Sequence, residues 1–144
     1  MSYSVDVNVL LYASDQSSPF HRTASDFLRQ CSSAGDLFCL AYMTLMSYLR
    51  IATHPRIFTN PLSPKEALEN LQMLVSLPQV RLISEDDGFL EIYREITEHF
   101  PVRGNLVPDA HLAGLLRQHE VRTIYTNDPD FKKFDFIRVE NPFS

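Results

Sequence analysis

What most limits the folds open to this chain is an alternation running from one end to the other. Short apolar runs take turns with longer segments whose apolar residues recur every three or four positions. The runs are the stretch leading into Asp6, then Leu37–Ala41, Val80–Ile83, Arg122–Thr126 and Phe136–Val139. Between them, Phe20, Ala24, Phe27, Leu28 and Cys31 mark one helical face, and Leu45, Leu49 and Ala52 a second. Leu68, Leu71, Leu74 and Val75 mark a third, Leu112, Leu115, Leu116 and His119 a fourth, and Asn8–Ala13 reads as a short helix. Strands separated by helices pair in parallel, so the expected fold is α/β: a three-layer α/β/α sandwich around a central, mostly parallel sheet. The order of the strands does not follow from the pattern.

Capping residues sharpen the boundaries. Ser63, Pro64 and Glu66 form a capping-box start, and Pro55 stops the preceding helix. Ser84 is expected to cap a helix with Glu85, Asp86 and Asp87 in its first turn, where the helix dipole favours acids. Pro108-Asp109-Ala110 is expected to open the next helix, after a loop over 101–104. The tail from Glu140 to Ser144 is expected to be poorly ordered. A chain of 144 residues is most simply one domain, 1–144. Cys31 and Cys39 fit no metal or redox spacing and are expected as reduced, partly buried thiols. No signal segment and no membrane-length apolar stretch is visible, so a cytoplasmic location is the expectation.

Function enters through an oddly placed acid. Asp6 interrupts the apolar run Ser4–Ala13, although Asp is a poor strand residue and costly to bury. It reads as the last residue of a central first strand, facing the crevice outside the strands' carboxyl ends where such sheets bind ligands. Asp128 follows the Arg122–Thr126 run and Asp109 lies in a helical first turn, so all three acids fall on one edge of a parallel sheet. Each has a plainer reading too, since Asp128-Pro129-Asp130 is a good turn and Asp109 suits a helix start. Together they make a set of hard oxygen donors, whose mutual repulsion a divalent cation such as Mg²⁺ or Mn²⁺ relieves. Such a site suits hydrolysis of phosphodiesters. The net charge of −5 argues against unaided tight phosphate binding, yet is compatible with a site whose acids a metal neutralises.

At these residues the chain resembles the PIN-domain family, and within it the VapC-type toxins of bacterial toxin–antitoxin pairs. The resemblance rests on Val5–Ala13, Leu49–Phe58, Pro108–Ala113 and Thr126–Phe131, in that order along the chain. It implies a five-stranded sheet between helical layers and a metal-dependent endoribonuclease acting on tRNA or another structured RNA. A cognate antitoxin and a homodimer are implied as partners. By motif match, Asp6, Asp109 and Asp128 are the metal-binding, catalytic acids and Asp130 an accessory one, with Thr126, Asn127 and Asn8 around them. Many members carry a Glu where this chain has Ser47, three residues before Arg50. That departure weakens the donor set and leaves open a catalytically weak or inactive chain that acts only by binding its antitoxin.

Arg50 and His54, four apart, are expected to share a helix face, with Arg50 able to grip phosphate and His54 to contact it, although a structural ion pair for Arg50 and a helix-end cap by His54 suit them at least as well. Arg56 follows them, and Lys132 and Lys133, after the acidic turn, read as a solvated surface pair sooner than as backbone contacts. Tyr12, Tyr42, Tyr48 and Phe58 suit a core or dimer interface at least as well as base stacking. The other histidines have no zinc spacing. A haloacid-dehalogenase-like phosphatase is the rival enzyme, but it wants a second Asp where this chain has Asn8. A phospho-receiver domain is weaker still, lacking its acidic pair and strand-borne Lys.

Overall fold

The computed structural model describes every residue from Met1 to Ser144. The strands are β1 (Ser2–Val5), β2 (Leu37–Ala41), β3 (Val80–Ile83), β4 (Thr123–Tyr125) and β5 (Arg138–Glu140). The helices are α1 (Val7–Ser14), α2 (His21–Ser33), α3 (Tyr42–Ala52), α4 (Pro64–Val75), α5 (Phe89–Thr97) and α6 (Leu106–Gln118), with a 3₁₀ turn over Pro129–Lys133. All five strands are parallel, in the order β3-β2-β1-β4-β5, so β1 is central.

The period of two along the strands divides the interior into two cores. Tyr3, Val5, Phe38 and Leu40 point to one face, where they meet Val9, Leu10, Leu45, Tyr48, Ala67 and Leu71 of α1, α3 and α4. Cys39, Ala41, Ile83 and Ile124 point to the other, against Ala110, Leu112, Ala113, Leu115 and Leu116 of α6. Both thiols are free and buried. At the edge, β3 exposes Leu82 and Arg81, whose guanidinium donates to the carbonyls of Pro78 and Val80 at 2.7 and 3.0 Å, and a charged side chain on an edge strand discourages pairing with another sheet.

Several boundaries differ from those read in the sequence. β1 stops at Val5, and Asp6 is instead the N-cap of α1, in extended conformation. The capping box at Ser63 forms as expected, but Leu68 is exposed because Ala67, Leu71 and Leu74 turn inward. Ser84 caps nothing: residues 84–88 are a loop, and α5 starts after Gly88, which takes φ +85°. The Gln118 side chain donates to the carbonyls of Asp86 and Asp87 at 3.1 and 3.2 Å and accepts from the Asp86 N–H at 2.9 Å. That clamp on α6 holds the acids outside the helix.

The start of α6 lies two residues earlier than expected, at Leu106. Pro108 is harmless there because first-turn N–H groups have no helical partner. The last two strands begin one and two residues later than their apolar runs. The tail is not loose: Phe143 packs its ring against Tyr12 and Phe20, at centroid separations of 5.2 and 5.0 Å. Local polarity hid a contact with a helix more than a hundred residues away. Phe143→Ala should lower unfolding stability by about 1–2 kcal/mol, read as a shift in the urea midpoint.

Candidate active site

The strand order reverses between β1 and β4. From β1 the chain moves outward through β2 to β3, then returns to the other flank of β1 as β4. The crevice outside the carboxyl ends of those two strands is therefore the topological switch point, where open α/β sheets bind ligands. Asp6 is the first residue past β1, and its N–H donates to the carbonyl of Tyr125, the last residue of β4, at 3.0 Å. Thr126, Asn127 and Asp128 follow β4 directly.

One buried hydroxyl organises this crevice. Thr126, 1 % exposed, donates from Oγ1 to Asp6 Oδ2 at 2.9 Å. The same oxygen accepts from Asn8 Nδ2 at 3.1 Å and from the Asp128 N–H at 3.0 Å. Its donor and both acceptor positions are thus used. Asp6 Oδ1 accepts the N–H of Val7 at 2.7 Å, which caps α1. Asn8 Nδ2 also donates to Asn127 Oδ1 at 2.7 Å, and Asn127 Nδ2 donates to the Tyr12 hydroxyl at 3.0 Å. Asp128 Oδ1 accepts from the Asp130 N–H at 2.9 Å, starting the 3₁₀ turn. Tyr12 belongs to this network. The sequence offered a sign of it, because Tyr12 stands four residues after Asn8 on α1 and so shares its face.

The first turn of α6 brings Asp109 to the same place. Asp109, Asp128 and Asp130 each hold a carboxylate oxygen within 4.8 Å of the others. Asp6 lies outside that trio but close enough for its charge to act on it. Burial first, then the charges of Asp128, Asp6 and Asp130, push the Asp109 carboxyl up to about 7, with Lys133 opposing. Burial also raises Asp6, and Asp128 adds to it, while the hydrogen bonds from Thr126 and Val7 pull the other way. The one ion pair at the cluster joins Lys133 Nζ to Asp130 at 3.8 Å. Oxygen donors crowded this closely, with one lysine among them, fit a hard divalent cation such as Mg²⁺ or Mn²⁺.

The family model of the PIN domain matches residues 3–137. The chain belongs to the PIN-domain family. It is 42% identical over 144 residues to Ribonuclease VapC48 of Mycobacterium tuberculosis, covering 100% of this chain and 99% of that one. It is 30% identical over 138 residues to Ribonuclease VapC37 of the same species, covering 96% and 95% of the two chains. In structure it is similar to VapBC2 from Rickettsia felis, solved bound to a promoter DNA fragment, with a TM-score of 0.70, 15% identity and 98% of each chain covered. VapBC-1 from nontypeable Haemophilus influenzae superposes with a TM-score of 0.68 at 12% identity, over 100% of both chains. At those identities the solved structures speak for the PIN fold alone.

Within this PIN fold the remaining sequence-derived residues are scattered. Ser47 and Arg50 lie in the second and third turns of α3, Ser47 half-buried and Arg50 exposed, and neither hydrogen-bonds to the acids. His54 does not share a helix face with Arg50, because α3 ends at Ala52. Its Nδ1 accepts from the Arg56 N–H at 3.1 Å and shapes the turn beyond the helix. His111, two residues from Asp109, pairs with Glu85 instead. Tyr48 and Phe58 are buried, whereas Tyr42 is 49% exposed.

Asp109 keeps its proton in the fold up to about pH 7, against an ordinary value of 3.8. Between those limits the unfolded chain binds fewer protons, so this group's contribution to stability falls as pH rises through that window. The metal-free chain should therefore melt several degrees higher at pH 5.5 than at pH 7.5, and Asp109→Asn should remove most of that difference. Differential scanning fluorimetry across the pH series checks both.

Proposed function

We propose that this chain is a divalent-metal-dependent endoribonuclease that hydrolyses RNA phosphodiester bonds, and the toxin of a toxin–antitoxin pair. The observation that carries the reading is the meeting of Asp109, Asp128 and Asp130 beside Asp6 at the switch point. The names of the relatives, ribonucleases of the VapC kind, support it.

In this reading Asp6, Asp109 and Asp128 would hold the cation, with Asp130 as accessory. A divalent cation held there, such as Mg²⁺ or Mn²⁺, would supply an activated water and stabilise charge developing on the phosphoryl group. The chain's own residues fix the geometry. Thr126 and the Val7 N–H hold the Asp6 carboxylate in one orientation. Asn8 and Asn127 hold Thr126 and the strand end. Arg50, exposed on α3, is free to hold a substrate phosphate through a bidentate contact. The phosphatase reading loses its remaining ground, because Asn8 is engaged as a donor and carries no transferable proton.

Purified free of partners, the chain should cut tRNA or another structured RNA when Mn²⁺ or Mg²⁺ is added. Asp6→Asn and Asp109→Asn should each slow cutting by about a hundredfold or more, beyond what the loss of an outer-sphere partner costs. Metal binding with no RNA cut would instead favour the interaction-only chain that the uncharged Ser47 keeps in play.

The partner side rests on a groove between α1, α2, α3 and α4. It is lined by Leu10, Leu28, Tyr48, Leu71, Leu74 and Leu77 and holds a volume of about 260 Å³. At its polar spot the Tyr48 hydroxyl meets Ser14 Oγ at 2.7 Å and accepts from Asn70 Nδ2 at 3.1 Å. An apolar trough of this kind suits an amphipathic antitoxin helix, in keeping with the VapBC assemblies that share the fold. A homodimer in the cytoplasm completes the reading, and sedimentation should give twice the 16.6 kDa chain mass. Leu74→Arg should leave RNA cutting intact and abolish inhibition by the antitoxin encoded next to this chain, measured by adding that protein to the tRNA assay.

A further inference from the structure

A second concavity adjoins the acid cluster and shares Asp128 with it. Its volume is about 250 Å³, and Thr126, Asn127, Lys132, Asn141 and Ser144 contribute to its walls, with Val139 the one apolar residue among them. A lining so polar suits a hydrophilic ligand rather than an apolar one. Lys132 is the only cation in that lining. The two adjacent lysines differ in their commitments. Lys133 pairs with Asp130, whereas Lys132 is exposed and has no acid within ion-pair distance. In a chain of net charge −5, an uncommitted ammonium beside a cluster of carboxylates is placed for an incoming anion.

The wall facing it is fixed. Phe143 anchors the tail on Tyr12 and Phe20. Asn141 Oδ1 accepts the Phe143 N–H at 2.8 Å, which leaves the Asn141 amide nitrogen without a partner in the protein. Thr126 ties the floor to β5 through its N–H, which donates to the Glu140 carbonyl at 2.9 Å. The concavity thus offers one cation and one free amide donor on a held backbone. Those groups match the phosphate and sugar or base edge of a nucleotide.

We propose that this concavity is a nucleotide subsite next to the scissile phosphate, with Lys132 as its phosphate-binding residue and Asn141 as a donor to the same nucleotide. The proposal rests on the ribonuclease reading for the substrate's identity. Covalent continuity of an RNA strand supplies the link: a phosphate held at the acids leaves its neighbouring nucleotide beside Asp128.

The test is binding of labelled total bacterial tRNA, in EDTA, by the Asp109→Asn chain, which should cut nothing. It is compared with the same chain carrying Lys132→Ala or Lys133→Ala across a KCl series. Losing one phosphate contact should weaken binding about fourfold to fivefold at 0.15 M salt and flatten the log–log salt slope by about 1. Lys133→Ala should change affinity less than twofold. In the parent chain, Lys132→Ala should raise KM for tRNA with kcat unchanged and leave Mn²⁺ binding by calorimetry unaltered. Equal effects of the two lysine substitutions would overturn the subsite while tRNA cutting by the parent kept the ribonuclease reading intact. If no tRNA is bound the subsite falls, and if the parent also cuts none the ribonuclease reading falls separately.

Discussion

Everything at the working edge of this protein depends on carboxylates being held closer together than their charges favour. Asp109 feels Asp128, Asp6 and Asp130 at once, in a place too buried for water to screen them fully. No local preference of the chain produces that crowding. It is held because each acid is fastened to an element that is itself packed. Asp6 caps α1, Asp128 starts a 3₁₀ turn, and Asp109 rides the first turn of a helix whose apolar face forms one of the two cores. The repulsion is stored against the packing, and a divalent cation is the partner that relieves it.

The parallel sheet makes such an arrangement possible. Every strand ends on the same edge, and the reversal of strand order between β1 and β4 opens that edge in the middle of the molecule rather than at its rim. Thr126 then couples the two halves. Its single hydroxyl touches Asp6, Asn8 and Asp128, so the end of the first strand and the loop after the fourth are joined through one oxygen. From Asn8 the same net continues through Asn127 to Tyr12, against which the carboxyl-terminal Phe143 is packed. The tail, the first helix and the acid edge form one connected body.

The fold class was legible because periodicity is local. Leu37–Ala41 and Val80–Ile83 are strands with the boundaries their apolar runs imply, and Ser63 caps α4 through the reciprocal bonds its spacing foretells. Two of the three misreadings share a cause. Ser84 with its following acids looks like a helix start, but the loop is held by Gln118, a residue of another helix. The tail looks loose, but a ring on α1 receives it. His54 looks like a neighbour of Arg50 only if α3 continues past Ala52. In the first two cases a partner distant along the chain outweighed the nearest residues; in the third the helix ends, and the His54 ring accepts from the N–H of its near neighbour Arg56.

The sequence by itself determined that strands alternate with helices, that the sheet is parallel, and that Asp6, Asp109 and Asp128 fall at its carboxyl edge, since spacing and capping are properties of neighbouring residues. It also carried the motifs of the PIN family. Only the tertiary structure decided the strand order, the grouping of Asp130 with Asp109 and Asp128, the standing of Asp6 just outside that trio, and the place of Tyr12 in their support. The places of Asp6 and Tyr12 rest on contacts with Thr126 and Asn127, more than a hundred positions away, and the strand order and the acid trio on contacts between separate elements, all set when two cores close on opposite faces of one sheet.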